Sequence, residues 1–193
     1  MPHILLLAAG RSSRMGKAGD KLLQSLPSGD VLIEDRLQTC VKTGLPVWIT
    51  LPREALEKRA FSDHYKVSIV TTPRQSGMAD SIARGVAALP DTCDAVVIVP
   101  ADMPGITDMD IRNMLAAYPG DHILRACDET GRMGHPVVFP RRLFEELGKL
   151  SGDDGARGLL ADEKVQSYPL PGDHATLDLD TPDDWRLWRK RFS

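Results

Sequence analysis

Short apolar runs rich in β-branched residues alternate along this chain with segments of helical periodicity. The runs are His3–Ala8, Val47–Leu51, Val67–Thr71 and Ala95–Val99. A run that is apolar at nearly every position is typical of a strand buried on both faces, and each run ends near a proline or a glycine. Strands that alternate with helices predict an α/β fold, with a mostly parallel sheet and helices on both of its faces.

The intervening segments carry helix signals. Val31–Thr43 has apolar residues at helical spacing, and Gly44 follows it at the position of a C-terminal glycine. Thr107–Tyr118 begins with a near variant of a capping box, and Thr181–Arg191 begins with threonine followed by proline. Two further helices are predicted at Arg53–Ala60 and Met78–Leu89.

After about residue 120 the alternation loosens into shorter strands. His122–Ala126, Pro136–Phe139 and Val165–Leu170 are predicted to add antiparallel or edge pairing and a lid region. The chain has 193 residues, the size of one ordinary domain, with no linker, repeat or low-complexity segment. We therefore expect residues 1–193 to form a single domain.

Charge and cysteine content argue against several classes of partner. The 24 basic and 27 acidic residues leave no excess of positive charge for a nucleic acid or an anionic membrane. The three cysteines include no CxxC pair, so neither a disulfide scaffold nor a thiolate zinc site is expected. The N-terminal apolar run is too short for a signal peptide or a membrane helix, which predicts a cytoplasmic protein.

The loop after the first run suits a polyphosphate. Ligands gather at the carboxyl ends of strands in open parallel sheets, and two arginines and two lysines lie between residues 11 and 21. Two familiar phosphate-binding patterns do not match this loop. The Walker A pattern has four residues between its glycines, whereas five separate Gly10 from Gly16. The dinucleotide-binding pattern GxGxxG is excluded because Ser12 occupies its second glycine position. A solvated surface loop is the alternative interpretation.

Two aspartates are candidate metal ligands, one after a predicted strand and one before a predicted helix. Asp102 comes directly after Ala95–Val99, and a carboxylate in an otherwise basic site favours Mg²⁺, which prefers oxygen ligands. The alternative for Asp102 is an ordinary turn residue between prolines. Asp180 precedes the helix at Thr181, where it either complements the helix dipole or acts as a second metal ligand opposite Asp102.

Two further segments each have more than one interpretation. Thr72–Ser81 joins a strand to a helix, so Gly77 and the amides after it either hold a ribose or base edge or form a plain connection. His135, in Gly134-His135-Pro136, is a base, an acceptor contact or a structural histidine. It has no visible serine or cysteine partner, so a catalytic triad is not predicted.

Blocks of sequence in the same order resemble the MobA-like nucleotidyltransferases, and within them the molybdenum cofactor cytidylyltransferase branch. The opening block alone would indicate only the wider nucleotidyltransferase superfamily, whereas the later blocks are typical of the branch. The blocks are Leu7-Ala8-Ala9-Gly10-x-Ser12-x-Arg14-Met15-Gly16, Lys21-Leu22-Leu23, Ser76-Gly77-Met78-x-x-Ser81, Ala101-Asp102-Met103-Pro104, Gly134-His135-Pro136, Gly152-Asp153-x-Gly155-Ala156-Arg157 and Asp178-x-Asp180-Thr181-Pro182.

The resemblance implies a Rossmann-like three-layer α/β fold of the nucleotide-diphospho-sugar transferase type. It also implies Mg²⁺-dependent transfer of CMP from CTP to the phosphate of molybdopterin, with release of pyrophosphate. Ala8-Ala9-Gly10 favours cytidine, since the guanosine branch has Ala-Gly-Gly. The alternatives are a guanylyltransferase that uses GTP, a cytidylyltransferase for a sugar or isoprenoid phosphate, and a non-catalytic cofactor-maturation chaperone.

The same resemblance assigns roles to residues. Arg14, Lys21 and Asp102 would be catalytic, and Asp102 with Asp180 would hold Mg²⁺. His135 and Arg157 would face the acceptor, and molybdoenzyme apoproteins are possible partners. The nucleotide would contact Leu7, Ala8, Ala9, Gly10, Arg11, Ser12, Lys21, Gly77, Met78 and Ser81.

Overall fold

A computed structural model of the protein describes residues 1–10, 12–74, 76–152 and 155–192. Within them a sheet is built from the strands β1 (His3–Leu7), β2 (Val47–Pro52), β3 (Ser68–Thr72), β4 (Ala95–Pro100), β5 (Ile123–Cys127), β6 (Met133–Pro140) and β7 (Val165–Pro169). The seven strands lie in the order β3-β2-β1-β4-β6-β5-β7. Pairing is parallel except on the two sides of β6, so the predicted mostly parallel sheet is confirmed.

Helices cover both faces of this sheet. They are α1 (Leu32–Lys42), α2 (Leu56–His64), α3 (Met78–Ala88), α4 (Asp108–Ala116), α5 (Phe144–Gly148), α6 (Arg157–Asp162) and α7 (Pro182–Arg189). Successive residues of β1 enter different cores: Ile4 and Leu6 pack with α1, α4 and α7, whereas Leu5 packs with α3 and α5. This arrangement confirms the three-layer α/β fold. Among the described residues no helix has the length and apolar character needed to cross a bilayer.

Strand order places a crevice between β1 and β4. The chain leaves β3 at one edge of the sheet and returns to it as β4, on the other side of β1. Such a switch point is where open α/β sheets bind ligands, outside the carboxyl ends of the strands. Because β6 runs antiparallel to β4, with Val137 opposite Ile98, the start of β6 at Gly134 and His135 lies at the same edge.

The elements agree with the sequence patterns where the signals are strong. The four predicted β-rich runs coincide with β1 to β4 to within one residue at each end. Capping boxes form at Thr107 with Asp110 and at Thr181 with Asp184. Gly44 follows α1 with φ of 79°, the left-handed conformation expected of a C-terminal glycine.

One helix prediction needs correction, and two helices were missed. The helix placed at Arg53–Ala60 begins only at Leu56 and continues to His64, because the residues after β2 form a turn in which Ala55 N donates to Pro52 O at 3.2 Å. The helices α5 and α6 were not predicted, since five and six residues are too few to show a helical period. The predicted edge pairing of the last strand is confirmed, since β7 lies at the edge of the sheet, where it pairs parallel with β5.

Gly85 allows α3 to approach β1 closely. A Cβ atom at Gly85 would lie 2.5 Å from both Cδ atoms of Leu5, which is fully buried. We expect Gly85→Ala to lower the free energy of unfolding by about 1–3 kcal/mol, because overpacking outweighs the better helix propensity of alanine. Urea denaturation measures the change. Gly148→Ala is the control, since a Cβ atom there meets nothing within 4 Å, and equal stability of both variants would contradict the expectation.

Candidate active site

The loop after β1 is organised around Asp20. Asp20 caps a short 3₁₀ turn at Lys21–Leu23 by accepting from Leu22 N at 3.0 Å. Ser12 Oγ donates to Asp20 Oδ1 at 3.1 Å and accepts from Lys21 N at 3.0 Å. Ser12, predicted to contact the nucleotide, therefore bonds within the loop and fixes the backbone that presents Lys21.

Lys21 connects the two aspartates that the sequence singles out. Its side chain is buried, and Nζ lies 2.5 Å from Asp102 Oδ2 while also donating to Asp180 Oδ1. Arg14 donates to the other carboxylate oxygen of Asp180. The loop after β1, the loop after β4 and the segment before α7 thus meet in one network of alternating charges.

The network fixes the charge states of its members. Burial alone would lower the pKa of Lys21, but the charges and hydrogen bonds of Asp102 and Asp180 outweigh burial and raise it. Burial would raise the pKa of Asp180, but Lys21 and Arg14 outweigh it and lower it. At neutral pH the site therefore holds a protonated lysine against an ionised carboxylate.

The carboxylates form a partial set of ligands for a divalent cation. Asp102 and Asp180 present oxygens to a common point, where Lys21 Nζ now lies. No group of three or more His, Cys, Asp or Glu side chains in the described residues is arranged to hold a metal ion. Mg²⁺ commonly binds one or two carboxylates and takes its remaining ligands from water and substrate phosphates. The donor set therefore fits Mg²⁺ bound together with a nucleotide.

The network lies in a cleft of about 630 Å³, a size typical of small-molecule sites. The cleft brings together most of the predicted site residues from β1, β4, the start of α3, the start of β6 and the segment before α7. Its lining is Gly10, Ser13, Arg14, Lys21, Ser76, Gly77, Met78, Pro100, Asp102, Met103, His135, Asp178 and Asp180.

Other predicted site residues lie around this cleft rather than in its lining. Leu7 is half-buried at the end of β1, and Ala8 is buried beside it. Ala9 lines, with Gly10, a neighbouring cavity of about 450 Å³. Arg157 lines a third cavity. Arg11, together with Gln75, Asp153 and Asp154 of the quoted segments, lies outside the described residues.

The start of α3 is held by protein contacts. Gly77 N donates to Asp80 Oδ2 at 3.3 Å, and Ala79 N donates to Gly152 O at 3.2 Å. Ser81 is buried, and its hydroxyl donates to Gly77 O at 3.0 Å. These amides and this hydroxyl therefore shape the helix start, while Gly77 and Met78 contribute the surface that faces the cleft.

His135 enters the cleft as a neutral side chain. Its Nδ1 atom is buried and has no hydrogen-bond partner among the described residues. Burial and the nearby positive charge of Arg125 lower the pKa of His135 to about 4. The residue before it, Gly134, packs so closely that a Cβ atom would lie 1.7 Å from Ala175 O, which fixes β6 against that backbone.

The structure adds residues to which the sequence analysis gave no role. Lys58 of α2 is buried, and its Nζ atom lies 2.8 Å from Asp20 Oδ2 and donates to Ala8 O at 3.3 Å. It therefore links Ala8 and Asp20 within the loop after β1. Asp178 lines the cleft, and desolvation followed by the charges of Asp180 and Asp102 raises its pKa. A lysine on the inward face of α2 was the available signal for Lys58.

Comparison with known proteins agrees with this fold. Residues 4–167 match the MobA-like NTP transferase domain. The chain is 27% identical to the purine catabolism protein PucB of Bacillus subtilis (strain 168), over 100% of this chain and 98% of the relative. It is 23% identical to the molybdenum cofactor cytidylyltransferase of Escherichia coli (strain K12), over 98% and 96%.

Solved structures share the architecture. The crystal structure of Rv0371c from Mycobacterium tuberculosis H37Rv superposes with a TM-score of 0.86 at 26% identity, covering 98% of this chain and 97% of that one. A complex of Rv0371c with manganese superposes with a TM-score of 0.83 at 24% identity, over 98% of each chain. The chain therefore belongs to the MobA-like NTP transferase domain family and is a nucleotidyltransferase by family and fold.

Proposed function

We propose that this protein transfers CMP from CTP to the terminal phosphate of molybdopterin in the molybdenum cofactor and releases pyrophosphate. The observation that carries the proposal is the network of Arg14, Lys21, Asp102 and Asp180 in a cleft at the switch point of the sheet. Cations in the loop after β1, with carboxylates after β4 and before α7, suit a metal-bound triphosphate. The choice of cytidine rests on Ala8-Ala9-Gly10 and on the likeness to the E. coli cytidylyltransferase.

The reaction is a displacement at the α-phosphorus of CTP. An oxygen of the acceptor phosphate forms a bond to that phosphorus, and the bond to the bridging oxygen of the β-phosphate breaks, so pyrophosphate leaves with the electron pair. The attacking oxygen is already anionic, and no general base is needed. This agrees with His135, whose pKa of about 4 makes it a weak base.

Catalysis then depends on positioning and on neutralising charge. In this proposal Lys21 and Arg14 bind the β- and γ-phosphates and stabilise the charge that develops on pyrophosphate. Asp102 and Asp180, which these cations now neutralise, would hold Mg²⁺ once the cations turn to phosphate. When bound, Mg²⁺ would neutralise phosphate oxygens and orient the triphosphate.

A nucleotide panel tests the choice of substrate. We expect CTP with Mg²⁺ to stabilise the protein against heat more than GTP or ATP does. A ligand present at about 100 times its Kd adds about 2.7 kcal/mol, which corresponds to a rise in Tm of about 5–10 °C for a chain of this size. Differential scanning fluorimetry, with and without Mg²⁺, measures the shift.

Inorganic triphosphate is the control for this panel, because it separates recognition of the base from recognition of phosphates. Preference for GTP would contradict the cytidylyl assignment and favour a guanylyltransferase. Equal stabilisation by CTP and triphosphate would contradict base recognition altogether. An acceptor panel of molybdenum cofactor, a sugar 1-phosphate and an isoprenoid-precursor phosphate, each with CTP, then tests the acceptor.

We also propose that residues 1–193 act as one catalytic domain whose small-molecule substrates are CTP and molybdopterin. The family match over residues 4–167 and the contacts of α7 with the first loop support this proposal, since Arg14 pairs with Asp180 just before α7. Molybdoenzyme apoproteins are proposed as recipients of the product.

A further inference from the structure

A smaller cavity of about 160 Å³ adjoins the cleft. Met78 and His135 line both spaces, so the two are neighbours across these side chains. Most of the lining of the smaller cavity is apolar and comes from α3, β4, β6 and α6. Its charged lining consists of Arg125 on β5 and Arg157 at the start of α6.

These two arginines share one cavity, and no acidic side chain is among the described residues that line it. Neither forms an ion pair with any residue in the described ranges, whereas Arg14 in the cleft and Arg186 on α7 do. Arg125 is half-buried, and burial together with the charge of Arg157 lowers its pKa. Two like charges on one partly apolar cavity repel each other, and a bound anion would offset that repulsion.

Arg125 is also held in one orientation. Its Nε atom donates to Gly134 O at 3.1 Å, and no described residue accepts from its terminal nitrogens. Gly134 is in turn fixed against the backbone of Ala175. The guanidinium is therefore tethered through one N–H while its outer edge remains available, which is the arrangement that suits bidentate binding of an oxyanion.

We propose that Arg125 and Arg157 bind the acceptor as a dianionic phosphate monoester and hold its phosphate beside the α-phosphorus of the nucleotide. This inference rests on the proposed function, which it extends to a residue outside the resembling motifs. Arg14 and Lys21 line the cleft and not the smaller cavity, while Arg125 and Arg157 line the smaller cavity and not the cleft. Separate cations for the attacking and leaving phosphates agree with in-line displacement.

The experiment uses phenyl phosphate, a monoester whose ring suits the apolar lining. Calorimetry measures its binding to protein saturated with Mg²⁺ and α,β-methylene-CTP, which cannot transfer CMP. We expect Arg125→Gln to weaken phenyl phosphate binding about 10–100-fold, the effect of losing a charge-assisted pair of hydrogen bonds. Arg186→Gln is the matched control, because Arg186 is an exposed arginine on α7, and it should bind normally.

A second variant keeps the inference testable if Arg125→Gln does not fold. Arg157 is exposed, so Arg157→Gln should fold normally and still weaken phenyl phosphate binding. Both variants should bind α,β-methylene-CTP as the parent protein does. With molybdenum cofactor as acceptor, Arg125→Lys should raise the acceptor KM less than Arg125→Gln, with kcat little changed.

Three results would overturn the inference: no binding of phenyl phosphate to the parent protein, unchanged binding by Arg125→Gln, or a loss of nucleotide binding in Arg125→Gln as large as the loss of phenyl phosphate binding. The last would place Arg125 in the nucleotide site. Arginine-dependent binding of phenyl phosphate without any cytidylyl transfer would instead refute the proposed function and leave this subsite standing.

Discussion

Lys21→Ala is expected to lower kcat about 10²–10³-fold, the usual cost of removing one preorganised electrostatic contact from an active site. Lys21 is a buried cation between Asp102 and Asp180, and in the proposed reaction it neutralises the leaving pyrophosphate. The loss should appear mainly in kcat, because the charge on the leaving group grows in the transition state. Pyrophosphate release from CTP and molybdenum cofactor measures it.

Lys17→Ala is the matched control for this variant. Lys17 belongs to the same loop but is exposed, and it makes no ion pair with the described residues. Its activity should therefore stay within about twofold of the parent protein. Because removing Lys21 leaves Asp102 without its cation and Asp180 with Arg14 alone, thermal stability of the variant should be measured with Mg²⁺ present. Turnover of Lys21→Ala equal to that of Lys17→Ala would remove Lys21 from the mechanism.

Asp102→Ala is expected to cost a similar factor of about 10²–10³ in kcat for a different reason. The variant loses the carboxylate that follows β4 and leaves Asp180 as the remaining proposed metal ligand. The Mg²⁺ concentration needed for half-maximal activity should therefore rise. A titration of activity with Mg²⁺ at saturating CTP separates this effect from a loss of nucleotide binding.

Asp91→Ala is the control for loss of an aspartate. Asp91 is fully exposed and pairs with Arg141 on the surface, and such pairs contribute little to stability. Its Mg²⁺ requirement and turnover should match those of the parent protein. An unchanged Mg²⁺ requirement in Asp102→Ala would show that this carboxylate does not hold the metal.

The central strands were predictable because burial on both faces leaves a continuous apolar run in the sequence. β1 and β4 show this directly, since nearly all of their side chains are buried. The boundary of α2 was not predictable from caps, because its N-cap is Ala55, which offers no side-chain hydrogen bond. Helices as short as α5 depend on tertiary packing and leave no periodic pattern of their own.

The position of a candidate-site carboxylate can be predicted from the sheet topology, whereas the cation that it contacts cannot. Asp102 lies at a strand end beside the switch point, so its place at the sheet edge could be predicted. Its contact with Lys21 joins residues 81 positions apart, and no local pattern specifies such a pairing. Arg125 did leave a signal, as a single charge within the apolar strand β5, but its direction depends on the register with β6.

Acceptor-dependent release of pyrophosphate tests the proposed transfer most directly. The protein is incubated with CTP, Mg²⁺ and molybdenum cofactor, and both pyrophosphate and the cytidylylated cofactor are quantified. The proposed transfer predicts one pyrophosphate and one cytidylylated cofactor for each CTP consumed, and no turnover when the cofactor is left out. Tight binding of the cofactor with no pyrophosphate formed would contradict it and would indicate a maturation chaperone instead.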